Sequence, residues 1–152
     1  MEYFREVYGQ VMEFDYLQGM FPFPGTVGNG IAPGAPTSAP YFSWTLRVNA
    51  TYTSGLDEMS QQIANKIEQD GPYDGFIGFS QGSVVFRLFW TIVNELDPDL
   101  EYRLRGKMPW FTIAVSGPYV KEITFNYKNI DFDFKNVNQY QYDLPNIHLY
   151  GK

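Results

Sequence analysis

The stretch that most constrains this chain is 74–96. A short apolar run, Asp74-Gly75-Phe76-Ile77-Gly78-Phe79, passes through Ser80-Gln81-Gly82 straight into a long apolar segment that ends before Asp97-Pro98. The first run follows the breaker Gly71-Pro72 and has the length of a buried strand. The second, 82–96, is too long for a strand and reads as a well-buried helix. Strand and helix are therefore joined with almost no loop between them. In a turn this tight the serine takes strained backbone angles, and glycines on either side leave room where a side chain would strike the neighbouring strand or helix. Gly78 and Gly82 occupy those flanking positions. Such an elbow lifts the serine hydroxyl out of the sheet. The next backbone N–H then faces the same space at the positive end of a helix, where negative charge on a substrate oxygen is favoured. Ser80 is the candidate nucleophile, and the Gln81 backbone N–H is a candidate donor of an oxyanion hole. The bare Gly-x-Ser-x-Gly pattern is common in loops, so the strand before it and the helix after it carry the inference.

Further elements follow from periodicity. Residues 56–69 place Leu56, Met59, Ile63 and Ile67 three and four apart, one face of an amphipathic helix with Asp57 and Glu58 at its N-terminal end. The segments 109–117 and 145–151 read as buried strands, and 11–17, with its alternation of Val11, Glu13, Asp15 and Leu17, as another. Strands alternating with helices predict an α/β fold with a mostly parallel sheet flanked by helices on both faces. Residues 18–54 break the pattern. Five glycines and five of the ten prolines fall there, together with Phe21, Phe23, Tyr41, Phe42 and Trp44, which suggests a long loop, lid or insertion packed on the body. The Asn-, Gln- and Tyr-rich segment 125–143 reads as a polar loop, with an extended arm as the alternative.

At 152 residues the chain fits one domain. Its net charge of −6 opposes nucleic-acid binding, which needs clustered Lys and Arg, and the basic cluster 103–107 is too small to reverse it. Without cysteine there are no disulfides, thiolate metal sites or cysteine nucleophiles. No apolar run is long enough to span a bilayer. The N-terminus has no apolar signal core, so an intracellular setting is favoured and the sequon Asn49-Ala50-Thr51 is read as coincidence. No Gly-x-Gly-x-x-Gly or phosphate-loop lysine follows any strand, which weighs against a nucleotide-binding protein. Neither a cofactor nor a metal site is expected.

The run Gly71-Pro72-Tyr73-Asp74-Gly75, followed by Gly78-Phe79-Ser80-Gln81-Gly82, resembles the elbow of the FSH family of serine hydrolases, a small α/β-hydrolase group related to carboxylesterases and thioesterases. More faintly, 14–25 resembles the family's strand leading into a proline-containing substrate loop. Likewise 111–119 resembles the strand after the nucleophile helix, and 144–152 resembles the next strand. The resemblance implies a partial α/β-hydrolase fold over 1–152, with 18–54 as a Gly/Pro-rich loop within it. It also implies that the lone histidine, His148, is a structural strand residue, and that the family's triad acid and histidine come after Lys152. The family's first strand and His-Gly loop would precede Met1.

Two functions follow as expectations. In the first, Ser80 serves a hydrolase that cleaves a carboxylic ester or thioester, with acid and base supplied from outside this chain. In the second, the chain is a catalytically inactive, hydrolase-like subunit. A sheet lacking its neighbours exposes edges and apolar faces, so a protein partner or assembly is expected to cover them. Glu122 and Asp143 follow later strands, but no spacing selects either as a base.

Overall fold

The computed structural model describes residues 11–23, 26–27, 30–31, 41–49, 51–115, 123–133 and 146–149. Within them lie eleven short strands: β1 (Phe21–Phe23), β2 (Thr26–Val27), β3 (Gly30–Ile31), β4 (Tyr41–Ser43), β5 (Leu46–Arg47), β6 (Tyr52–Ser54), β7 (Gly75–Phe79), β8 (Phe111–Val115), β9 (Thr124–Tyr127), β10 (Ile130–Asp133) and β11 (Asn146–Leu149). Three α-helices accompany them: α1 (Leu56–Asp70), α2 (Gln81–Thr91) and α3 (Pro98–Leu104). The class is α/β, but the described strands form four small sheets rather than one mostly parallel sheet, and several of their pairings are antiparallel.

Amphipathic spacing accounts for α1, which buries Leu56, Met59, Ile63 and Ile67 and carries Asp57 and Glu58 in its first turn. It ends at Gly71, whose N–H returns to the Ile67 carbonyl at 3.1 Å. The apolar segment after Ser80 is helical as expected, with Val85, Phe86, Leu88 and Phe89 buried, but its last turn widens to a π-helical turn at Ile92–Leu96. The Asp97 N–H closes that turn on Ile92. Asp97 then starts α3, its Oδ1 accepting from the Leu100 N–H at 3.1 Å ahead of Pro98 in the first turn. Part of the basic cluster is taken up here. Arg103 on α3 forks onto Glu68 of α1, with N–O distances of 2.7 and 3.3 Å, and also reaches Gln61 and Asn65. The core forms where the three helices meet β9, around Met59, Phe89, Ile92, Leu100 and Tyr127.

The parallel sheet that carries the serine has the order β11-β8-β7. Its register aligns Ile77 with Ile113 and Ile147, and Phe79 with Val115 and Leu149. Side chains alternate between faces along each strand. Phe76 stacks on Phe86 of α2, with ring centroids 4.6 Å apart, so α2 covers the Phe76 face. The opposite face holds Ile77, Phe79 and their row partners, and Phe79, Ile147 and Leu149 remain 65%, 54% and 48% exposed. Among the described residues, helical cover is thus found on one face where two were expected.

Three local expectations are revised. Residues 12–19 form no strand: Asp15 is held by Lys66 at 2.6 Å and by the Tyr73 hydroxyl at 2.7 Å, and the Gln18 carbonyl by Gln62. Side chains of α1 and of the β7 lead-in therefore hold this segment in place of a ladder. Region 18–54 is not structureless, because β1 pairs with β4, β2 with β3, and β5 with β6. Proline and glycine keep these ribbons short. The expected polar loop at 125–143 begins as a hairpin, β9 to β10, whose turn residues Lys128 and Asn129 have φ of 46° and 65°. Two successive positive φ values make a turn whose twist suits paired strands. Phe125 and Tyr127 are buried, and Phe125 stacks on Phe132. Residues 134–143 lie outside the described residues.

Candidate active site

Ser80 sits between the last residue of β7 and the first of α2, with φ 52° and ψ −116°. Side chains rarely adopt that backbone, so it must be held from outside. The restraints are specific. The Ser80 N–H donates to the Val115 carbonyl of β8 at 2.8 Å. The Ser80 carbonyl accepts from the Ser83 N–H at 3.1 Å and from the Ser83 hydroxyl at 2.6 Å. Gly78 is buried against the incoming helix, and a Cβ there would fall 2.5 Å from the Gly82 carbonyl group. A Cβ at Gly82, by contrast, meets no described atom within 4 Å. The crowding expected of both flanking glycines falls on Gly78.

The Ser80 residue is exposed, and its hydroxyl makes no hydrogen bond among the described residues. Gln81 supplies the first N–H of α2, one of the helix-terminal donors that have no acceptor within their own helix. The level register ends β7, β8 and β11 together, so the carboxyl ends of all three strands lie on the side where Ser80 stands. The carboxyl ends of parallel strands are where α/β folds bind ligands.

His148 lies in β11, aligned with Ala114, which is in turn aligned with Gly78. Its backbone is two strands from β7, about 10 Å. Glu122 and Asp143 lie outside the described residues. No group of three His, Cys, Asp or Glu among the described residues could hold a metal ion, and no described helix is long and apolar enough to cross a membrane.

The sequence reading missed two side-chain arrangements. Gln81 turns its carboxamide toward Ser43, Trp44 and Thr45. Asp97, 4% exposed, joins its Oδ2 to the Tyr127 hydroxyl and to Lys128 Nζ, the latter at 2.8 Å. Burial pushes the Asp97 carboxyl up, but the Lys128 ammonium, the Tyr127 hydroxyl and the Leu100 N–H outweigh it and set it at about 2. Burial and the adjacent carboxylate raise the Tyr127 hydroxyl well above its ordinary range. The Asp97-Pro98 pair is a helix-start signal that could have located α3 and its cap. No local signal would have joined Asp97 to Tyr127.

Comparison with known proteins bears on this geometry. Residues 1–152 match the family described as Serine hydrolase (FSH1). The chain is 30% identical to Esterase OVCA2 of Homo sapiens over 97 residues, covering 64% of this chain and 37% of that protein. It is 35% identical to Hydrolase FUB4 of Fusarium oxysporum f. sp. lycopersici over 75 residues, covering 49% and 26%. With Esterase mlcF of Penicillium citrinum it is 25% identical, covering 92% of this chain and 59% of that protein. The chain thus spans between 26% and 59% of the length of these relatives. No solved structure matched it. With the match running from the first residue to the last and the strained serine at the head of α2, this chain belongs to the serine hydrolase (FSH1) family.

Proposed function

We propose that this chain carries the nucleophile of a hydrolase that cleaves a carboxylic ester or thioester. The observation that supports this most directly is the Ser80 backbone at φ 52° and ψ −116°, a strained conformation at a strand-to-helix junction. Ser80 Oγ attacks the acyl carbon, and the carbonyl oxygen takes up the negative charge beside the Gln81 N–H. Collapse of that adduct expels the alcohol or thiol and leaves an acyl-serine, which water then cleaves to the free acid. The serine proton must pass to a base as the C–O bond forms, and an unassisted hydroxyl is a poor nucleophile. We assign that base and its orienting acid to polypeptide outside the described residues. The names of the OVCA2 and mlcF relatives, both esterases, support an ester substrate.

A second reading, a hydrolase-like subunit without activity of its own, is favoured by the exposed apolar face of the β7–β8–β11 sheet, which suits cover by further polypeptide. A fluorophosphonate probe applied to the full-length protein and to its Ser80→Ala variant separates the two. Labelling that vanishes with Ser80→Ala supports the hydrolase. A folded protein that never labels supports the inactive subunit.

A further inference from the structure

We propose that the Gln81 side chain is a positioning residue that ties the Ser43–Thr45 turn to the nucleophile elbow and so sets the site's preference for long apolar acyl groups, an inference resting on the hydrolase function above. Apart from its backbone amide, Gln81 makes a second and separate set of contacts through its carboxamide. Its Nε2 donates to Ser43 Oγ at 3.0 Å and lies 3.5 Å from Thr45 Oγ1, while its Oε1 accepts from the Trp44 N–H at 3.2 Å. Ser43 is ready for this bond. Its hydroxyl proton is directed to the Thr45 carbonyl at 2.8 Å, which leaves its oxygen to accept from Gln81. A glutamine is exposed here, and holding a long side chain in one rotamer costs about 1.5–2 kcal/mol. Donor and acceptor ends both engaged on one turn therefore indicate a fixed link rather than a chance surface contact.

The turn is also held from behind. A Cβ at Gly19 would lie 2.6 Å from the Ser43 carbonyl and 3.0 Å from the Trp44 nitrogen, so 43–44 is pressed between the 11–20 segment and Gln81. What the turn carries is apolar. It continues β4, which pairs with β1, and side-chain alternation puts Phe21, Phe23 and Tyr41 on the Ser43 face of that ribbon, Phe23 being 38% exposed, while Phe42 lies on the other face. The residue that follows the nucleophile is thus bonded to the end of a ribbon whose Ser43 face carries Phe21, Phe23 and Tyr41, a suitable wall for an apolar acyl chain. A carboxamide serves both ends of this link while the Ser43 hydroxyl keeps its proton on the Thr45 carbonyl. A glutamate at 81 would keep the Trp44 N–H, but to bond Ser43 it would have to draw that hydroxyl's proton away from the Thr45 carbonyl, and it would place negative charge beside the proposed oxyanion donor.

The test uses the full-length protein with Ser43→Ala, Gln81→Met and Gln81→Glu. Hydrogen exchange of the 41–47 segment reads the link without any need for turnover. About fivefold faster exchange is expected at Trp44 in Ser43→Ala and Gln81→Met, with the 85–91 segment of α2 unchanged. Hydrolysis of p-nitrophenyl acetate and decanoate reads the preference. In Ser43→Ala the decanoate-to-acetate ratio of kcat/KM is expected to fall about fivefold, mainly through KM for decanoate. Unchanged exchange at 41–47 in both variants overturns the link, and an unchanged ester ratio overturns its role in specificity. A wild-type protein that hydrolyses neither ester and takes no fluorophosphonate overturns the hydrolase function and the acyl preference together, while the exchange result still decides the link.

Discussion

A Cβ at Gly78 would lie 2.5 Å from the Gly82 carbonyl carbon and 2.6 Å from the Ser83 nitrogen, so β7 and α2 meet at a point where only a hydrogen fits. The obstacle is backbone, which cannot rotate away. Gly78→Ala is therefore expected to cost about 1–3 kcal/mol and to tilt α2 away from the strand end. Gly82 has open space at its own Cβ among the described residues and lies in the first turn of α2. Alanine is preferred over glycine in helices by up to about 1 kcal/mol, so Gly82→Ala should be neutral or mildly stabilising. Urea midpoints of the two variants check this. Equal losses would mean that residues beyond those described press on Gly82.

Ser80 offers a second, sharper contrast. At φ 52° and ψ −116° any residue with a Cβ is strained, whereas glycine is not. Ser80→Gly should raise stability by about 1 kcal/mol over Ser80→Ala, because alanine retains the strain and glycine releases it. Neither variant can take a fluorophosphonate. Thermal midpoints that coincide for the two would show that the turn carries no strain.

The Asp97 cluster sets an acid limit on the fold. With its folded pKa at about 2, below the ~3.9 of an unfolded aspartate, the carboxylate stabilises the native state at higher pH. That contribution is complete above about pH 4 and disappears as pH falls from about 4 to about 2. Its size is on the order of 2 kcal/mol at 1.36 kcal/mol per pKa unit. Asp97→Asn should lower stability at neutral pH and flatten the loss between pH 4 and 2, while keeping the cap on α3. Urea midpoints measured at several pH values in that interval decide it. Parallel curves for the two proteins would remove Asp97 as the source.

The sequence disclosed the parts of the fold that have their own period. Helix α1 and the junction from β7 to α2 were legible because apolar spacing and glycine placement are local signals. The β9–β10 hairpin was not, since its turn uses Lys128 and Asn129 at positive φ in place of the glycine that normally marks such turns. Residues 11–17 misled for the opposite reason. Their alternation is real, but Asp15 is drawn to Lys66 and Tyr73, and no described strand pairs with them. Of the candidate site, Ser80 and Gly78 could be read from the motif. The Gln81 carboxamide could not, because its partners lie 36 to 38 residues away in a region where short ribbons leave no periodic trace.

The same sheet predicts how the chain behaves in solution. The rows Ile77–Ile113–Ile147 and Phe79–Val115–Leu149 put six apolar side chains on one face, three of them about half exposed or more. Fully burying one such side chain is worth roughly 1.5–3 kcal/mol, so covering the exposed portions of Phe79, Ile147 and Leu149 together offers a few kcal/mol. A micromolar complex needs about 8 kcal/mol, so this face supports only weak association of two copies, nearer millimolar than micromolar concentration, unless other polypeptide covers it. The double variant Ile147→Lys, Leu149→Lys should lower the mass measured by light scattering in that higher range, because two like charges oppose face-to-face contact. Val11→Lys is the control, since Val11 is 79% exposed but belongs to no sheet. A drop in mass with the control as well would implicate general surface charge. A drop confined to the double variant would place the contact on the β7–β8–β11 face, and no drop in either would show that this face does not drive association.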